Sequence, residues 1–232
     1  MPAGDRAAAP ATVARVARRL DSTTGRLEAF SDGVFAVAIT LLVLDLSVNR
    51  ATGHLGRALL EEWPHYATYV VSFLTIGIIW ANHHQQFERI DHADRTLILL
   101  NLLLLLFVTL IPFPTGLLAT YLRTPTDEEV AAIAYSCSLL AMGLAFLATN
   151  FWARHADLYA GWVEDHDVRY YRWRNVRGLG IYVAAIAVAF VSAPVSLGLC
   201  GLNAVYFALP GNPPKAAGTP PENATRSGDD PH

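Results

Sequence analysis

The sequence predicts an all-α, polytopic membrane protein with six transmembrane helices, both termini cytoplasmic and no P-loop. The first observation behind this is composition: 53% of the 232 residues are hydrophobic and 16% charged, where soluble chains carry about a quarter. The second is segregation, since Leu97–Ile111 and Gly180–Ala193 contain no charged residue. A helix at the surface of a soluble protein needs a polar outer face, and these segments are apolar all round, as lipid requires. The third is charge asymmetry. Six spans starting from a cytoplasmic N-terminus put 14 of the 17 basic residues inside, with Arg50, Arg57 and Arg123 outside, a strong positive-inside bias. The net charge of −3 offers no basic field, which excludes a nucleic-acid partner.

Residues 1–25 are rich in Ala and Arg without a continuous apolar run. They read as a cytoplasmic N-terminal segment, mobile or partly helical, with no signal-peptide core. A transmembrane domain follows over residues 26–210. Its first four spans are expected at about Leu27–Val48, Trp63–Gln85, Arg95–Leu122 and Glu129–Trp152, each near the ~20 residues that cross ~30 Å of hydrocarbon. Pro112 and Pro114 should kink or break the third. The stretch Leu179–Leu209 is too long for one span and carries Ser192-Ala193-Pro194 midway. Two short helices meeting in a tight turn fit it better than one kinked helix, although the charge bias does not choose between five spans and six. Residues 211–232 turn to Pro, Gly, Asn and Asp and read as a disordered cytoplasmic tail. Cys137 and Cys200 both lie in apolar stretches and read as packing residues. Sixteen arginines against one lysine suggest a GC-rich bacterial genome, hence a multi-pass protein of a bacterial inner membrane.

The first span is the most informative segment. At 100° per residue, Phe30, Val34, Val37, Leu41, Leu44 and Val48 form one apolar stripe about 80° wide, with Thr40 at its edge. Asp32 points about 140° away from Val37. Between Asp32 and Asp45 the apolar run has 12 residues, about 18 Å, so both carboxylates sit near the hydrocarbon edge. A carboxylate facing lipid costs about 2.5–3.5 kcal/mol, so Asp32 should face protein or water with a partner. Arg26 is one candidate; the others lie on the second span, in Trp80-Ala-Asn82-His83-His84-Gln85-Gln86. The bland reading of Asp32 is an interfacial cap, and the alternative is a buried polar cluster fixing the first helix.

Arg26-x-x-x-Phe30-Ser31-Asp32 followed directly by a long apolar helix resembles the signature of the transmembrane-protein-175 family of potassium channels. Trp80-x-x-His83 and the run from Asn101 to Pro112-Phe-Pro114 support the resemblance, which covers residues 26 to about 122. It implies a six-helix protomer assembled as a homotetramer in the bilayer, with four first helices lining a pore for potassium ions and no cofactor. No T-V-G-Y-G-like filter is present. The resemblance assigns the constriction to Val37, Leu41 and Leu44, with Thr40 as a polar layer. It assigns Ser31, Asp32, Trp80 and His83 to a structural hydrogen-bond network, joined here by Arg26, Phe30, Asn82 and His84. Val37 stands where a longer aliphatic residue is common in the family, so its layer is expected to be wider and potassium selectivity weaker.

The alternative is a proton- or sodium-coupled secondary transporter using Asp32, with His83 or His84 as relay. No inverted repeat or pair of broken helices supports it. An enzyme with His83, His84, His92, Asp91 and Asp94 as metal ligands is rejected. His83 and His84 point about 100° apart on a helix, and the loop residues read as solvated or capping. Glu164-Asp165-His166-Asp167 likewise reads as a solvated loop.

Overall fold

The computed structural model describes residues 11–46, 55–163 and 165–209. Val48, Arg50 and the tail at 211–232 therefore lie outside the described residues. The described chain is helical: α1 (Ala11–Leu41), a 3-10 turn (Leu42–Asp45), α2 (Leu55–Glu61), α3 (Trp63–Phe87), α4 (Arg95–Leu110), α5 (Pro112–Tyr121), α6 (Glu128–His155), α7 (Asp165–Ala189) and α8 (Ala193–Ala208). Among the described residues three segments are long and apolar enough to cross a membrane: Thr24–Leu44, Arg95–Tyr121 and Glu128–His155. The protein is a multi-pass membrane protein.

Local chemistry sets the helix ends. Asp94 caps α4 by accepting from Leu97 N at 2.7 Å, which satisfies one orphan donor of the first turn. Glu128 and Glu129 open α6, and Arg154 and His155 close it, the charge order that complements a helix dipole. The chain leaves α6 through Asp157 at φ 54°, a left-handed position that Asp tolerates better than most residues. Pro112 and Pro114 lack N–H donors, and the expected break falls there, between α4 and α5.

The Leu179–Leu209 stretch is two helices meeting at Phe190–Ser192. The first of them starts at Asp165 rather than Leu179, so Asp165–Asp167 belongs to a helix rather than a solvated loop. Hydropathy missed this half because Arg169, Arg172, Arg174 and Arg177 occupy it. Arg174 reaches across to α8 and donates to the carbonyls of Phe207 and Leu209, both at 2.7 Å, closing the open end of that helix. At Gly178 the Phe207 ring of α8 occupies the space that a Cβ would need.

Helix α6 sits at the centre, packed on α4, α5, α7 and α8, while α3 packs on α1, α5 and α8. The core joins Phe35, Ala38 and Leu42 of the first span to Ile76, Leu104, Val108, Tyr135, Leu139 and Met142. Cys200 is buried in it, whereas Cys137 is exposed on α6. Cys137 is thus not the packing residue its apolar surroundings suggested, because it falls on the outward side of α6. Among the described residues, helix α1 packs chiefly on α3 and α4, and a long face of its second half stays exposed.

Candidate functional site

Three polar side chains lock the inner face of α1. Ser31, His83 and Asn101 come from α1, α3 and α4, and each is fully buried. Asn101 Nδ2 donates to Ser31 Oγ at 2.9 Å, and Ser31 in turn donates to its own helix at Leu27 O, 2.8 Å. Asn101 Oδ1 lies 2.8 Å from His83 Nε2. A carbonyl oxygen can only accept, so His83 carries its proton on Nε2. The chain of donors is therefore directional, from α3 through α4 to α1. Phe35 and Phe87 flank the imidazole, with ring centroids at 5.4 Å and 4.3 Å.

Asp32 lies at the edge of this cluster, half-buried. Its partner is Trp80, whose Nε1 donates to Oδ1 at 2.8 Å. Among the other residues expected in the network, His84 Nδ1 faces Glu28 Oε1 at 2.6 Å, making a second, more exposed link between α3 and α1. Asn82 donates instead to Ile78 O of its own helix at 2.8 Å. Arg26 is exposed. Phe30 is 54% exposed and lies on the open side of α1, because a phenyl ring gains nothing from a polar cluster. The structure thus joins Ser31, His83, Asp32, Trp80 and His84 to the α1 contact and leaves Arg26, Phe30 and Asn82 outside it.

The open side of α1 carries the stripe. Val37 is 56% exposed, Leu41 40% and Leu44 74%, and the exposed Thr40 turns its hydroxyl back to Val37 O at 2.8 Å. Val34 departs from the stripe and packs partly into the core. The helix also tightens: Leu42–Asp45 form a 3-10 turn, in which residues three apart eclipse. Leu44 therefore falls directly below Leu41, not 60° away as an unbroken α-helix would place it.

A profile for the endosomal/lysosomal potassium channel TMEM175 matches residues 26–112. A potassium channel of Streptomyces collinus is 48% identical over 188 residues, spanning 79% of this chain and 91% of that one. The chain belongs to the TMEM175 family. The crystal structure of a lysosomal potassium-selective channel TMEM175 homolog from Chamaesiphon minutus superposes with a TM-score of 0.74 at 40% identity, covering 81% of this chain and 97% of that one. The endosomal/lysosomal proton channel TMEM175 of Bos taurus is 36% identical over 136 residues, which is 54% of this chain and 27% of that protein.

The TMEM175 profile ends at Pro112, so it spans the three helices that supply Ser31, His83 and Asn101. Asn101 was the residue that sequence reasoning did not place in the network, although an amide in an otherwise apolar run signals a required partner. Two further polar relays were also missed. Tyr135 Oη and Ser72 Oγ are 2.9 Å apart, and Ser72 Oγ and Thr115 Oγ1 2.8 Å. Thr115 already donates to Ile111 O at 2.8 Å, so the protons run from Tyr135 to Ser72 to Thr115. Gln86 ties α3 to α6, donating to Thr149 Oγ1 at 3.0 Å and accepting from Asn150 Nδ2 at 3.2 Å.

Proposed function

We propose that the chain is a potassium channel of a bacterial inner membrane, working as a homotetramer with α1 of each protomer lining the pore. The reading extends to six spans (α1, α3, α4 with α5, α6, α7 and α8), with both termini cytoplasmic and residues 26–210 as the channel domain. The observation that carries it is the bare apolar face of α1 opposite a fully bonded polar anchor. Val37, Leu41 and Leu44 stand open on that face, and a single protomer cannot close a pore around it.

Four such faces about a common axis make three stacked apolar rings. Val37 to Leu41 is one α-helical turn, about 6 Å, and Leu41 to Leu44 is one 3-10 turn, also about 6 Å. An ion passing them sheds part of its hydration shell with no carbonyl cage to replace it. Potassium holds its water less tightly than sodium, so the rings favour potassium without a P-loop filter. The short Val37 side chain widens its layer, and Thr40 offers a polar step between the first two rings. Ser31, His83 and Asn101, with Asp32 and Trp80, hold α1 at the rotation that presents this face.

Current recording from purified protein in bilayers under a potassium/sodium gradient tests the reading. The expected result is passive, ohmic current that reverses toward the potassium potential. Leu41→Asn should wet the middle ring, raise conductance and move the reversal potential toward zero. Val183→Asn, at an exposed position of α7, should do neither. Coupled flux without conductance, or a Leu41→Asn protein identical to the parent, would refute the pore assignment.

A further inference from the structure

Helices α3 and α8 close on each other partway along and part toward their C-terminal ends. At Gly201 a Cβ would lie 3.4 Å from the Val71 side chain, whereas near Arg89 and Leu209 a crevice of about 620 Å³ separates α3 from α7 and α8. Along α3 it runs from Arg89 through Gln85 and Asn82 to Gly77, about 18 Å at 1.5 Å per residue. Its deep wall is apolar and open: Gly77, Ile78 and Ala81 line it, and a Cβ at Gly77 would meet nothing within 4 Å. Its mouth carries both charges, Glu88 and Arg89. Arg89 is held from two sides, since Ala160 N donates to its carbonyl at 2.8 Å and its guanidinium stacks over the Tyr171 ring at 4.1 Å. Stacking orients the fork without neutralising it, and among the described residues no ion pair engages it. Arg174, the other guanidinium in the lining, is spent on the carbonyls of Phe207 and Leu209.

We infer that this crevice binds a phospholipid whose headgroup carries a primary ammonium, with the phosphate on Arg89, the ammonium on Glu88 and an acyl chain along Gly77 and Ala81. The shape argues for an amphiphile, because a charged mouth leads into an apolar groove as long as a membrane leaflet is deep, about 15 Å. The charges argue for a zwitterion. A planar guanidinium fork matches phosphate oxygens in bidentate fashion. Glu88 is the C-cap of α3, so its carboxylate reinforces the negative end of the helix dipole and favours a cation there. It gives His84 Nε2 only a long contact, 3.5 Å, and stays 60% exposed, which leaves it open to an N–H donor. Between mouth and groove, Asn82 spends its Nδ2 on Ile78 O and keeps its oxygen as an acceptor. The depth fits as well, since exposed Trp162 and Trp173 flank the same end of the bundle and indoles favour the headgroup level. The inference needs only that the chain spans a membrane, so it stands whether or not α1 lines a pore.

Native mass spectrometry of the full-length protein, delipidated and offered phosphatidylethanolamine, phosphatidylcholine or phosphatidylglycerol, provides the test, with thermal melting to show that each variant is folded. The parent should retain phosphatidylethanolamine over both others, since choline has no N–H for a carboxylate and glycerol carries no charge. Glu88→Gln should erase the advantage over phosphatidylglycerol. Arg89→Gln should weaken retention of phosphatidylethanolamine about fivefold, the effect of one headgroup-level charge, and Arg89→Lys should keep most of it. Gly77→Leu should fill the groove and weaken all three lipids alike. Arg169→Gln, on an exposed residue of α7 outside the crevice lining, should change nothing. Equal retention of the three lipids by the parent, or equal losses in Arg169→Gln and Arg89→Gln, would overturn the site in favour of diffuse surface charge. A Gly77→Leu protein that retains lipid as the parent does would also overturn it, and loss of assembly in that variant would place a second copy of the chain in the crevice instead.

Discussion

Replacing Asn101 with Leu removes the link between α1, α3 and α4 while keeping a side chain of the same branched skeleton, with methyl groups where the amide oxygen and nitrogen stood. The consequences follow from the direction of the donors. Ser31 keeps its own bond to Leu27 O and loses only a donor onto its oxygen. His83 loses the acceptor for Nε2–H, and its Nδ1 is already buried without a partner. The imidazole would then sit fully buried with neither nitrogen bonded. An orphaned buried donor costs about 1–3 kcal/mol, whereas interhelical hydrogen bonds measured in a membrane protein average about 0.6 kcal/mol with a maximum near 1.7. Because His83 is left wholly unsatisfied, about 1–3 kcal/mol per protomer is expected. Asp32→Ala should cost less, under about 1 kcal/mol, since its carboxylate is half-buried and loses one bond from Trp80. Thermal melting of the purified channel and its resistance to denaturing detergent would measure both. The order Asn101→Leu worse than Asp32→Ala is the expected result, with Ser31→Ala adding little on top of Asn101→Leu because the two act as one unit. A parent-like melting curve for Asn101→Leu, or a larger loss for Asp32→Ala, would refute the claim that this chain anchors α1.

Ser72→Ala should lower the melting temperature by the equivalent of about 1–2 kcal/mol, because Tyr135 and Thr115 lose their shared partner; Tyr135→Phe should cost less, since it removes the donor as well as the need for an acceptor. Native mass measurement in mild detergent should give a tetramer, and a monomer that still conducts would dispose of a pore shared between α1 helices. A periplasmic reporter fused after Leu209 should be inactive, in keeping with the distribution of basic residues; activity there would mean that α7 and α8 do not cross as a pair. Gln86→Leu should loosen α3 from α6 and destabilise the channel without shifting the reversal potential, because its bonds run to Thr149 and Asn150 of α6 and not to α1.

Helix content, the break at Pro112 and the turn before Ala193 were legible in the sequence because proline chemistry and apolar length act locally. Of the stripe expected on the first helix, Phe30, Val37, Leu41 and Leu44 are exposed, whereas Val34 packs partly against the core. The distribution of arginines was also informative: Arg123 meets Glu61 O at 3.4 Å at one end, while Arg89, Arg154 and Arg172 gather at the other. Tertiary structure decided which polar residues meet. Asp32, the most conspicuous charge, finds one indole at the edge, while the quieter Asn101 holds three helices together. Sequence hydropathy scores a charge as costly wherever it lies, but the real cost depends on burial and on a partner from another helix. The same reason explains why α7 begins at Asp165: its arginines look unfavourable in isolation, yet Arg174 finds carbonyls on α8. The 3-10 turn that stacks Leu44 beneath Leu41 was equally invisible, because helix tightening is set by packing at the end of the span and not by the side-chain pattern. Sequence alone therefore determined that α1 has an apolar face and a polar one. Only the fold determined which of them is anchored and which is left open.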